Sequence, residues 1–163
     1  MVGYMSLEEQ VDRDFERARR RSLVAWIRAR LRGDVAREGI MLFDESRRSA
    51  RADNRVYLGR RVVEVSRIVG SVGRHREFDR DFMPTSASAE RWKRVDRAFQ
   101  SGVDLAPVSL YQIGGDYYVH DGNHRVSVAH YHGVEWIDAE VTRFRGQPNR
   151  DAGACGACDR TAA

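Results

Sequence analysis

A chain of 163 residues, 42% hydrophobic and 32% charged, can build one modest core with appendages but not two independent domains. Its formal net charge of +4, carried by arginine with Lys93 as the one lysine, favours anionic partners. No run of about 18 apolar residues occurs, which excludes an integral membrane helix, and MVGYMSLEEQ at the N-terminus lacks the apolar centre of a signal peptide. Both cysteines, Cys155 and Cys158, lie close to the C-terminus, so the rest of the chain is without a disulfide, as suits a cytoplasmic protein.

The first predicted element is a helix from Ser6 to about Arg32. Ser6 and Glu9 have capping-box spacing, and Leu7, Val11, Phe15 and Ala18 recur at helical intervals, as do Leu23, Ile27 and Leu31. Gly33 suits a stop, and acids early with arginines late suit the helix dipole. The apolar stripe shifts around the helix near Ser22, so the helix can face two surfaces. Its arginines, among them Arg13, Arg17, Arg20, Arg21 and Arg28, form a solvated face or a site for nucleic acid, an anionic membrane surface or a second copy as a homodimer. Residues 33–60 read as a linker with one short helix, and Arg47 to Arg55 as solvated. This gives an N-terminal helix and linker over 1–60, a domain over 61–144 and a disordered tail over 145–163.

Within the domain, Val62–Val65 is predicted to be a strand and Ile68–Gly73 a tight loop. Phe78, Phe82 and Pro84 fall in a coil packed over the core. A helix from Ser88 to about Gln100 carries Trp92, Val95 and Phe99 on one face. Pro107–Ile113 and Tyr117–His120 form a hairpin across Gly114-Gly115-Asp116. A short helix from about His124 to His132 ends at Gly133, and Trp136–Val141 is the last strand.

The chemistry concentrates where the hairpin meets that helix, at Asp121-Gly122-Asn123-His124-Arg125. The first amides of a helix lack intrahelical acceptors and carry partial positive charge, which suits an anion. Gly122 lets the backbone take a positive φ and approach a ligand. Arg125 can fork onto phosphate oxygens, and His124 can exchange a proton near neutral pH. Asp121 can orient His124 or hold Mg²⁺ beside a phosphate, and Asn123 can cap the helix. The plain alternative is a turn and a cap without a ligand. His120 and His124 are four apart but straddle the strand–loop boundary, His130 and His132 point to different sides of a helix, and Cys155 and Cys158 lack a second pair for zinc.

The order of elements from Arg61 to Thr142, about half the chain, with Gly122 and Arg125 in a loop that opens a helix, resembles the superfamily uniting the ParB N-terminal domain and sulfiredoxin. The resemblance implies a small α+β fold with a mixed sheet and packed helices. ParB proteins carry Gly-Glu-Arg-Arg here and bind CTP phosphates; sulfiredoxins carry Gly-Cys-His-Arg; the free-serine kinases carry Asp-Gly-His-Thr-Arg. Asn123 stands where two of these branches keep Glu or Cys, and an amide is no nucleophile. The resemblance therefore implies a phosphate holder: a nucleotide-binding regulatory module for ATP or CTP, with Mg²⁺, associated with DNA or transcription. It places Arg74 toward the nucleotide, beside Gly122, Asn123 and Arg125. The helix-turn-helix that follows in ParB has no counterpart before residue 163. The rival expectations are an NTP hydrolase, phosphotransferase or nuclease using His124 and Asp121, and a non-catalytic interaction module.

Overall fold

The computed structural model describes residues 5–32, 40–74, 77–85 and 88–146. Helix α1 runs Leu7–Leu31 with the predicted capping box: Glu9 N donates to Ser6 Oγ at 3.3 Å, and Ser6 N donates to Glu9 Oε2 at 2.9 Å. After it come β1 (Met41–Leu42), α2 (Phe43–Ser49), β2 (Asn54–Glu64), a 3-10 turn at Val65–Arg67 and β3 (Ile68–Ser71). The chain continues with α3 (Ala89–Gln100), β4 (Val108–Ile113), β5 (Asp116–Asp121), α4 (Asn123–His132) and β6 (Trp136–Arg145). The fold is mixed α+β, with a six-stranded mixed sheet in the order β1-β3-β5-β4-β6-β2.

Alternation along the strands sends side chains to both faces of this sheet. Val108 and Leu110 of β4, Val119 of β5 and Ala139 and Val141 of β6 bury one face together with Phe78, Phe82 and Val126. The coil around Phe78 and Phe82 packs over the core as the sequence predicts, closed by the bridge between Phe78 and Pro84. Tyr118 and Phe144 face the other way and meet Phe43 and Ala52. A second helical layer sits outside the first face, where Phe15 and Ala18 of α1, Trp92 of α3 and Val128 of α4 pack together. Trp92 is fully buried, and its ring nitrogen donates to Ser127 Oγ at 2.9 Å, so its single polar atom is satisfied.

Three sequence expectations change. Residues 40–60 are not linker: Phe43 and Ala52 are core, and β2 begins at Asn54, seven residues before the expected change at Arg61. β2 is an edge strand with one fully buried side chain, Val63, so it lacks the alternation that marks a strand. Ile68–Ser71 is not a loop but β3, parallel to both β1 and β5. The last strand outruns Val141 to Arg145, because β2 pairs with it as far as Asn54↔Arg145. The predicted stop at Gly33, both cysteines and all but the first two residues of the 145–163 tail lie outside the described residues.

A polar knot fastens α1 to α3 and α4. Gln100 Nε2 donates to Asp14 Oδ2 at 3.1 Å and to Asp96 Oδ2 at 2.8 Å. Tyr131 Oη donates to Asp14 Oδ1 at 2.7 Å, and His132 Nε2 lies 2.6 Å from Asp96 Oδ1. Burial raises the pKa of Asp96, and burial with the Asp14 contact pushes the Tyr131 phenol up to about 12. Asp14, Asp96 and His132 are close enough to surround a cation, yet every carboxylate oxygen among them already has a protein partner.

Gly70 is required by close approach rather than by a turn. A Cβ there would stand 2.3 Å from Met41 O and 2.6 Å from the Tyr118 ring. Gly70→Ala is expected to cost about 1–3 kcal/mol, the usual range for overpacking. Urea unfolding checks this, and an unchanged midpoint would show that β1 moves aside freely.

Candidate anion-binding cleft

β5 delivers Asp121 to the rim of the sheet, and the chain turns into α4 through Gly122, whose φ is +99°. A Cβ at Gly122 would lie 2.8 Å from Val108 Cγ1 and 3.1 Å from the Arg125 guanidinium, so only glycine fits this turn. Gly122 itself is the N-cap, and the first helical bond is Val126 N to Gly122 O at 3.0 Å. Asn123 is therefore the first residue of the helix and not its cap. It is 94% buried as 6% exposure implies, and its Oδ1 has no hydrogen-bond partner. The amides of Asn123, His124 and Arg125 precede the first helical bond and are free to face an anion.

An open cleft of about 810 Å³ lies at this helix end. One wall comes from the segment after β3: Val72, Gly73, Arg74 and Glu77. A second comes from α3: Arg91, Arg94 and Val95. The floor is His120 to Arg125. Of the residues singled out in the sequence, Asp121, Gly122, Asn123, His124, Arg125 and Arg74 all line this one cleft. Arg91, Arg94 and Glu77 were not foreseen. Their spacing on α3 marks Arg91 and Arg94 as one polar face, but nothing in the sequence says that this face overlooks the loop.

Arg125 makes three hydrogen bonds within the protein. Its Nη1 donates to the carbonyls of Ala106 at 2.5 Å and Pro107 at 2.7 Å, and its Nη2 donates to Asp121 Oδ2 at 2.7 Å. The guanidinium thus ties the end of β5 and the start of α4 to the strand entry of β4. Asp121 is otherwise exposed, and its carboxylate is the one acidic group of the predicted loop that could reach a cation in the cleft. Arg74 pairs with Glu77 through both carboxylate oxygens, at 2.9 and 3.1 Å.

His124 turns inward. Its ring meets Phe78 edge-on at 5.2 Å, and Nε2 is buried without a partner. Burial lowers its pKa, with Arg74 and Arg91 acting in the same direction against Glu77. Burial thus favours the neutral ring. Among the described residues the other histidines make their own contacts: His120 stacks on Tyr111 at 4.6 Å, His130 on Phe82 at 5.3 Å, and His132 meets Asp96.

No protein-family model matches the chain, and no curated protein matches it. Among solved structures, sulfiredoxin from Arabidopsis thaliana is similar over 55% of this chain and 84% of its own length, at 17% identity and a TM-score of 0.35. A likeness that loose assigns no chemistry to the cleft.

Two consequences can be measured. A histidine with a lowered folded pKa leaves the unfolded chain to bind the proton first. Its contribution to stability is therefore present above the unfolded value, about 6.5, and is lost as pH falls from there toward the folded value. His130 is shifted the same way by burial. Thermal melts are expected to show that His124→Gln loses less stability than the wild type between about pH 7.5 and 5.5. Equal losses would place the His124 ring in solvent. Arg125→Ala should cost about 1–3 kcal/mol through the carbonyls and carboxylate it leaves unpaired, read by urea unfolding.

Proposed function

We propose that the cleft holds a nucleotide by its phosphates and that the protein is a nucleotide-binding regulatory module. The observation that carries this reading is the convergence of Arg74, Arg91 and Arg94, from two separate segments, on the free amide end of α4. Oriented amides and several guanidinium groups around one open space suit a polyanion. The volume, about 810 Å³, is that of a small-molecule site. Gly122 lets a phosphate reach the backbone, while Arg125 holds the loop in shape for it. Asn123, buried with an unpaired carbonyl oxygen, offers a polar contact at the base of the site.

Binding is favoured over turnover by the state of the two residues expected to catalyse. Burial of His124 favours its neutral form, and its Nε2 is shielded from solvent without a partner. Asp121 is held by Arg125. Mg²⁺, when bound with the nucleotide, would neutralise phosphate charge from the side of Asp121. The resemblance to ParB N-terminal domains points toward CTP, with ATP as the other candidate, and a DNA-associated role rests on that resemblance alone.

The test is a thermal-shift panel with ATP, ADP, CTP and GTP, with and without Mg²⁺. A nucleotide at 100 times its Kd adds about 2.7 kcal/mol of stability. Arg91→Ala with Arg94→Ala should weaken binding at least about tenfold, since one charge-assisted bond is worth about 1.5–3 kcal/mol. The free protein's melting temperature should not change. Phosphate release that disappears in His124→Ala would favour the hydrolase or phosphotransferase reading instead. No shift with any nucleotide would leave an interaction module.

A further inference from the structure

The second half of α1 does not face the core that its first half faces. Val11, Phe15 and Ala18 are buried, but Leu23, Val24, Trp26, Ile27 and Leu31 are exposed, Leu31 by 83%. At about 100° per residue, Leu23, Ile27 and Leu31 form one stripe, on the side of the helix roughly opposite Val11 and Phe15. Arg28 flanks that stripe on one side and Arg19 and Arg30 on the other. From Arg17 to Arg32 the helix carries seven arginines and no carboxylate, and all its acids lie before residue 17. The two halves of one helix therefore have different surroundings: one packs into the protein, and the other presents an apolar band between cationic rims.

We infer that this face of α1 lies on an anionic lipid surface. The helix buries its aliphatic band at the level of the headgroups, and the arginines extend sideways to the lipid phosphates. Three observations select this occupant. A second copy of α1 laid over the Leu23–Leu31 band would bring the arginines of both copies together, and the nearest carboxylate, Glu16, is already paired with Arg19 of its own helix. A nucleic acid would satisfy the arginines but has no apolar surface for Leu23, Ile27 and Leu31. A groove that wraps a helix needs most of its circumference, and Ala18 and Phe15 hold α1 against α3 and α4 on the far side. A flat, anionic and apolar surface needs only the one face that is free. Trp26, half-exposed with Arg30 over its ring at 5.7 Å, is the type of side chain that settles at such an interface.

The experiment is co-sedimentation of the full chain with vesicles of phosphatidylcholine alone and of phosphatidylcholine mixed with phosphatidylglycerol. Binding is expected to the mixed vesicles only, with a blue shift of tryptophan emission, and to weaken as salt is raised. Arg28→Gln and Arg30→Gln should each weaken it about fivefold, the equivalent of about 1 kcal/mol per charge near an anionic surface. Ile27→Asp should abolish binding while far-UV circular dichroism stays unchanged. If that variant loses helix, Leu31→Ser carries the same test, and it should weaken binding at an unchanged fold. The inference is overturned by equal binding to neutral vesicles, by no binding to either, or by binding that survives both apolar substitutions. It also falls if size-exclusion chromatography with light scattering shows a dimer that Ile27→Asp dissociates and that ignores vesicles. None of these residues lines the anion cleft, so the outcome is independent of nucleotide binding.

Discussion

The cleft depends on one guanidinium. Arg125 reaches back from the first turn of α4 to the carbonyls of Ala106 and Pro107, and sideways to Asp121. Two chain segments, the entry of β4 and the turn from β5 into α4, are thereby fixed around Gly122, whose positive φ and missing Cβ allow them to come so near. A bidentate, permanently charged donor suits this task better than lysine would, because two carbonyls and a carboxylate converge on a planar fork. The result is a helix start whose amides are held open, not filled by a capping side chain. An uncapped helix end beside a buried asparagine whose Oδ1 has no partner is costly for stability.

The rest of the molecule serves to bring a third element to that loop. Trp92 locks one face of α3 against Phe15, Ser127 and Tyr131, and the knot of Asp14, Gln100, Asp96 and His132 fixes its end. With those faces taken, Arg91 and Arg94 are left on the side of α3 that looks over α4. The same docking explains the divided character of α1. Its first half belongs to this helical layer, and its second half runs past it with apolar side chains still uncovered.

Much of this was legible in the residues. The capping box at Ser6 and Glu9, the stop at Gly133 and the turn at Gly114-Gly115 are local devices whose geometry depends on neighbours in sequence, and each appears where it was read. The burial of Phe78, Phe82 and Trp92 followed from size and apolarity. Of β2 only the end, Val62–Glu64, was legible; its first eight residues were not, because an edge strand exposed along most of its length has no pattern to show. Nor was β3, where Gly70 suggested a turn although it is the missing side chain, and not the backbone angle, that the packing uses.

The sequence by itself determined the loop: Asp121 to Arg125, the positive φ of Gly122 and the helix that follows are short-range consequences of residue type. It also set the amphipathic change along α1, since the composition shifts at a definite point. Tertiary structure alone decided what surrounds them. Whether Arg125 meets a ligand or a carbonyl, whether His124 faces water or Phe78, and whether Arg91 and Arg94 overlook the loop depend on contacts across large sequence separations. A side chain's partners across such distances are fixed only by how the sheet and helices pack, and residue type carries no record of that.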